Sequence, residues 1–150
     1  MGGGRNAVFL ASRGFHVDGI DISQDAIEDA VNLAQKKQVE ISTHLGDLEN
    51  DFFIKEEYYD VIICFNFLQR SLIPIMKRGL RSDGVIVYET YIIDQAQFGK
   101  PTNPDYLLKH NELLELFRDF RCLRYHEGIM AKGKAVAGII TQKWRRKNAR

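Results

Sequence analysis

The chain has 150 residues, 45% of them apolar and 27% charged, with a formal net charge of +1. That is material for one domain with a sizeable core, and so small a net charge sets up no global field that would gather nucleic acid. No apolar run is long enough to span a bilayer. The opening Met-Gly-Gly-Gly-Arg-Asn lacks the apolar stretch of a signal peptide, and Asn6 stands where a myristoylation signal needs Ser or Thr. Cys64 and Cys122 are far apart and follow no ligand spacing, so neither a disulfide framework nor a zinc site is expected, and a reducing, cytoplasmic compartment is.

Asn6 to Arg13 reads as a short helix with Ala7, Val8, Leu10 and Ala11 apolar, ended by Gly14. Phe15 to Ile22 reads as a strand. Ser23 then supplies an N-cap, acids fill the first turn, and Ile27, Ala30, Val31 and Ala34 recur at helical spacing. Val39, Ile41, Thr43 and Leu45 alternate as a second strand. The unbroken run Val61 to Phe65 suits a central parallel strand covered on both faces. Leu72, Ile75, Met76 and Leu80 predict a helix that tolerates Pro74 in its first turn. A turn at Ser82-Asp83-Gly84 and a strand from Val85 to Tyr91 follow.

Residues 92–110 carry Gly99, Pro101, Asn103 and Pro104 among aromatics and read as a long loop, of the sort that is functional or mobile. A helix from Glu112 to Asp119 comes next. Two strand-like runs, Arg121 to Glu127 and Ala135 to Trp144, flank Lys132-Gly133-Lys134 as an antiparallel hairpin. The alternation predicts an α/β fold with a mostly parallel sheet, helices on both faces and a closing hairpin, as a single domain over residues 1–150. It begins on a helix, with no strand before the glycines, so the first strand of the sheet is expected to be missing. The basic cluster of Lys143, Arg145, Arg146, Lys147 and Arg150 is either a solvated tail or an anchor for a polyanion.

Chemistry-bearing residues fall at three strand ends. Gly2, Gly4 and Ala7 match a G-x-G-x-x-A run opening a helix, where the backbone can approach a ligand and free N–H groups point at it. Asp21 closes the next strand. It is placed either to accept hydrogen bonds from a ribose diol or to cap the following helix, with Asp18 further inside. Gly46-Asp47 ends the strand after that, where Asp47 is either an adenine-side acceptor or a turn residue. In open α/β sheets this carboxyl edge is where ligands bind.

The segments GGGRNAVFLASRGFHVDGIDIS, Gly46-Asp47, YYDVIICFNFLQRSLIPIMKRGLRSDGVIVYETY and FGKPTNPDYLLKHNELLELFRDF resemble, in order and over nearly the whole chain, the class I S-adenosylmethionine (SAM)-dependent methyltransferases, and within them the tellurite-resistance type. The resemblance implies a Rossmann-like doubly wound fold, SAM as cofactor and a small-molecule acceptor, with a metalloid oxyanion as one candidate. By the same resemblance Gly2 and Gly4 belong to the cofactor loop, Asp21 holds the ribose with Ile22 beside the adenine, and Asp47 and Leu48 flank the adenine. Asn66, Phe67 and Leu68 border the methionine part and the substrate. Arg70 either faces the pocket or starts a helix. Read from the residues themselves, Tyr91, Phe98 and Tyr106 either line or lid the substrate pocket or pack the loop, and His110, which borders the loop, is a further substrate-side candidate. The family's strand and acid before the glycines are absent. Asn66-Phe67-Leu68-Gln69 is not the Asp/Asn-Pro-Pro-Tyr of enzymes that methylate exocyclic base amines, which argues against a nucleic-acid substrate.

A sulfonium methyl is already electrophilic, so placement of the acceptor dominates and a general base is needed only for a protonated acceptor. No residue announces itself as catalytic. His16, His44, His110 and His126 are scattered without a ligand motif, and only His110 borders the long loop. Two other readings share the glycine run and the acid: an NAD-type oxidoreductase, and a methyltransferase-like remnant without activity.

Overall fold

The computed structural model describes residues 1–50, 54–131 and 133–144. These fall into two units, Met1–Phe52 and Phe53–Arg150. Of the terminal basic cluster only Lys143 is among them; Arg145, Arg146, Lys147 and Arg150 lie outside the described residues, as does Lys132 of the hairpin turn.

The first unit runs α1 (Arg5–Ser12), β1 (Asp18–Asp21), α2 (Gln24–Lys37), β2 (Ser42–Leu45). The Ser23 hydroxyl caps α2 by accepting from the Ala26 N–H at 3.2 Å. Asp25 stands in the first turn and Lys36 and Lys37 in the last, each sign favoured by the helix dipole. The helix buries Ile27, Ala30 and Ala34, the spacing read from the sequence. Gly4 caps α1 in the left-handed region, and a Cβ there would stand 2.5 Å from the Ala30 Cβ, so the start of α1 rests directly on α2. β1 and β2 are parallel, Asp18 opposite Ser42 and Asp21 opposite Leu45. Each strand is four residues long rather than the seven or eight expected.

The second unit runs β3 (Tyr59–Phe65), α3 (Leu72–Gly79), β4 (Leu80–Tyr91), two 3-10 turns, α4 (Glu112–Leu116), β5 (Arg121–Met130) and β6 (Lys134–Gln142). Its sheet has the order β3-β4-β6-β5, with β3 parallel to β4 and β6 antiparallel to both neighbours. Among the described residues β1 pairs with β2 alone and β3 with β4 alone, so the hydrogen-bonded ladder comes in two pieces. Ile86, Tyr88 and Thr90 on β4 alternate into the core, as do Ala135, Ala137, Ile139 and Thr141 on β6. Tyr88 lies against Phe117, ring centroids 6.2 Å apart. From α3 the Lys77 ammonium sits over the Phe117 and Phe120 rings and donates to the Leu116 carbonyl at 2.6 Å, tying α3 to the end of α4.

The expected Ser82-Gly84 turn is realised inside a strand. β4 starts at Leu80, directly after α3, with Leu80 opposite Tyr59 and Val85 opposite Val61, so Arg81 to Gly84 bulge out of the ladder. Asp83 takes a left-handed φ of 64° there, and its N–H donates to the Lys143 carbonyl at 2.9 Å while the Lys143 N–H returns to Gly84 at 2.8 Å.

The long loop leaves the carboxyl end of β4. Short 3-10 turns form at Ile93–Gln97 and Pro104–Tyr106, and Ile92 bridges to Leu108. Ile92, Leu107 and Leu108 are buried. The buried Gln95 accepts the Ala135 N–H at 2.9 Å. His110 pairs with Asp94 across the loop, and the hydrogen bond raises the imidazole and lowers the carboxyl from their ordinary values. α4 ends at Leu116, short of the expected Asp119. No helix among the described residues is long and apolar enough to cross a membrane.

Two outcomes follow from this packing. Gly4→Ala forces a Cβ into Ala30 at a positive φ and should lower the urea unfolding free energy by about 3 kcal/mol. Gly2→Ala, strained in φ but with open space around it, should cost only about 1 kcal/mol. The Asp94–His110 pair should stabilise most between about pH 4 and 6.5, the ordinary values of its two groups. Its contribution should be lost as pH rises through the raised imidazole value, and again as pH falls through the lowered carboxyl value. Melting of wild type and Asp94→Asn across pH checks this; a gap independent of pH would exclude the pair as its source.

Candidate functional site

In the first unit the Asp21 carboxylate sits where β1 gives way to the cap of α2. One oxygen accepts the Gly2 N–H at 2.7 Å and the Met1 ammonium at 2.9 Å; the other accepts the Ser23 N–H at 3.0 Å. Burial alone would raise this carboxyl, but the ammonium and the two backbone donors outweigh it and bring it down to about 2. The acid is therefore ionised and already linked to the glycine run. Ile22, next in the chain, is exposed. Because β1 and β2 are parallel and the Gly46 N–H donates to the Asp21 carbonyl at 3.0 Å, Asp47 and Leu48 stand on the same carboxyl edge. Asp47 closes its own turn, accepting from the Glu49 N–H at 2.9 Å and the Asn50 amide at 2.8 Å, which is the geometry of a turn aspartate. The structure thus brings Gly2, Asp21, Ile22, Asp47 and Leu48 to one edge of this unit, with Gly4 one turn further on at the helix cap.

In the second unit the exit of β3 is held from below. Asn66 adopts a φ of 56°, with its N–H on the Glu89 carbonyl at 2.9 Å. The Phe67 carbonyl accepts the Tyr88 hydroxyl at 2.6 Å and lies 3.8 Å from the Cys64 sulfur. Burial pushes the Cys64 thiol up to about 11 and carries the Tyr88 phenol well above its usual range, so neither group ionises near neutrality. Leu68, expected to border the substrate, is buried with 6% of its surface exposed; the chain turns inward there on its way to α3.

Arg70 is committed to the fold. Its guanidinium holds Glu112 through two hydrogen bonds of 2.5 and 3.0 Å and the carbonyls of Asp105 and Leu107 at 3.0 Å each. Four of its five N–H groups are thereby spent on clamping the long loop to the β3–α3 connection. The loop accordingly stands at the carboxyl edge beside Asn66 to Arg70. Tyr91, half-buried, lies under the Lys134 ammonium at 5.3 Å from its ring centroid. His110 is exposed and engaged with Asp94. The Phe98 ring packs near Gly133, and Tyr106 is exposed. From the sequence alone Glu89 has no role, Lys134 stands only in the hairpin turn and His126 is only one of four scattered histidines. His126 approaches Glu89 at 3.0 Å across the sheet. The available signal was Glu89 itself, a carboxylate interrupting an apolar strand two residues before its end.

With this geometry in view, comparison with known proteins is specific. The family model described as "Tellurite resistance protein TehB" matches residues 1–139. A probable S-adenosyl-L-methionine-dependent methyltransferase TehB of Haemophilus influenzae is 26% identical over 133 residues, which is 85% of this chain and 46% of that protein. A ubiquinone biosynthesis O-methyltransferase of Rickettsia typhi is 33% identical over 97 residues, 59% of this chain and 37% of its own length. The chain thus spans less than half the length of these curated relatives. The crystal structure of TehB from Haemophilus influenzae superposes with a TM-score of 0.79 at 24% identity, covering 95% of this chain and 55% of that one, which shows the Rossmann-like α/β fold. By the family match over nearly its whole length, this chain belongs to the TehB family of class I SAM-dependent methyltransferases.

Proposed function

We propose that this chain binds SAM and transfers its methyl group to a small-molecule acceptor. The observation that carries the reading is the Asp21 carboxylate, kept ionised at the end of β1 and hydrogen-bonded to the glycine run through the Gly2 N–H. A ribose diol needs such an acceptor, fixed beside a backbone that can come close to the ligand. The diol would compete with the Met1 ammonium for one carboxylate oxygen. The exposed Ile22 offers an apolar surface next to it for an adenine ring. When bound, SAM supplies a methyl group already activated on its sulfonium. The residues of this chain orient the ligands: Asp21 fixes the ribose, and the Tyr88 and Glu89 contacts hold the Asn66-Phe67 segment in one conformation.

For the acceptor, a small molecule with an oxygen or chalcogen nucleophile is the reading we favour, a metalloid oxyanion among them. It is supported by the family and by the absence of the Asp/Asn-Pro-Pro-Tyr motif after β3. The cytoplasm is the proposed compartment, in keeping with two free cysteines, one of them exposed.

Calorimetric titration with SAM, S-adenosylhomocysteine and NAD tests the proposal. Binding of the first two and not the third is expected; binding of none would identify a remnant, and binding of NAD alone an oxidoreductase. Asp21→Ala should weaken SAM binding by roughly 1.5–3 kcal/mol, the value of a charged hydrogen-bond acceptor, and Asp18→Ala far less. Equal losses at the two positions would overturn the assignment of the ribose acid.

A further inference from the structure

Glu89 on β4 and His126 on β5 are both opposite Gly138 of the strand between them. The imidazole reaches over that strand to the Glu89 carboxylate, Nε2 to Oε2 at 3.0 Å. The reach depends on the glycine: a Cβ on Gly138 would stand 2.2 Å from the imidazole Cε1 and 2.7 Å from Nε2. Glycine inside a buried strand weakens it, and here it provides the seat on which the ring lies. Nε2 is the ring nitrogen turned to Glu89, which leaves Nδ1 as the second nitrogen of the ring, and the His126 side chain is 42% exposed.

The same face carries the rest of a small polar cluster. Phe65 of β3 is opposite Glu89, and Asn66 follows with its N–H on the Glu89 carbonyl. Lys134, two same-face positions along β6 from Gly138, stands over the Tyr91 ring and makes only a long contact, 3.5 Å, to the Asn66 amide oxygen. Among the described residues no carboxylate lies within salt-bridge distance of Lys134. Arg124 is the next same-face residue of β5.

A carboxylate-oriented imidazole, on the same face of the sheet as an ammonium with no carboxylate partner, is suited to a small weak acid: the imidazole takes the proton and the ammonium balances the resulting anion. We infer that Glu89, His126 and Lys134 form a proton-accepting subsite for a small acidic molecule such as a thiol, phenol or oxyacid. The X–H proton passes to His126 Nδ1 and its electron pair stays on X. If X is also the methyl acceptor, the electron pair left on X would be the nucleophile and bound SAM would supply the methyl group, while the imidazolium, held by Glu89, later releases its proton to water. This last role rests on the proposed methyltransferase function; the proton-accepting subsite does not.

The two can be tested apart with 4-nitrophenol, whose anion absorbs visibly and whose ionisation needs no cofactor. At a pH where the free probe is mostly protonated, adding the protein should raise nitrophenolate absorbance to saturation. His126→Asn and Glu89→Gln should each cut that signal at least tenfold, and Lys134→Met should weaken probe affinity about tenfold, with circular dichroism confirming that each variant is folded. No nitrophenolate signal from the wild type overturns the proposal, as does an unchanged signal in folded His126→Asn. Loss of the signal in the variants while SAM titration is unaffected supports the subsite; absence of SAM binding with the signal intact rejects the methyltransferase reading alone.

Discussion

Strand β6 has hydrogen-bonding partners on both sides, β4 and β5, and five consecutive residues of it, Ala135 to Ile139, are buried. What surrounds the candidate acceptor region is fastened to this strand. The long loop is held by the Gln95 side chain on the Ala135 N–H and by the Ile92 N–H on the Ala135 carbonyl at 3.2 Å. The bulge in β4 is held by Lys143, just past the strand end, whose ammonium also reaches the Leu80 carbonyl at 2.7 Å. His126 and Glu89 meet over Gly138. A strand inserted between two others fixes the spacing of both, and side chains that must meet across it inherit that precision.

Against this frame the polar residues divide into those whose bonding capacity is used within the fold and those with capacity left for a ligand. Arg70, Asp47, Glu112 and Gln95 are used. The Arg70–Glu112 pair is bidentate and partly covered, which makes it a better anchor than an exposed ion pair. Asp21, Lys134 and the Nδ1 of His126 keep capacity. A carboxylate offers about four acceptor positions, and three donors occupy those of Asp21, one of them the Met1 ammonium. The division explains how one loop can be both pinned and adjacent to a binding edge: its anchors point inward while Tyr106 and Phe98 remain outside.

Much of the architecture was legible because burial imposes a period. Ile27, Ala30 and Ala34 mark the buried stripe of α2, whereas the Val61–Phe65 run, expected as a central strand covered on both faces, forms an edge strand among the described residues and is only half-buried, with Phe65 exposed. The order of elements and the closing hairpin followed from the same signal. What the sequence did not reveal depends on contacts between residues remote in the chain. Arg70 meets Glu112 at a separation of 42 residues and Glu89 meets His126 at 37, and no local pattern encodes either. The turn at Ser82 to Gly84 was recognised by its residues, but their chemistry serves a bulge as well as a strand break. The long loop looked free because Ile92, Leu107 and Leu108 do not recur at any regular interval.

The position of β6 in the chain sets the order in which the protein can be made. β4 and β5 leave the ribosome before the strand that belongs between them. Until β6 emerges, β4 and β5 each present an unpaired backbone edge where their missing neighbour belongs. At ordinary rates of synthesis such a nascent chain waits seconds in a state open to edge-to-edge association. Recombinant yield should therefore respond to chaperone supply and to the speed of translation through residues 121–142 more than to the stability of the finished fold.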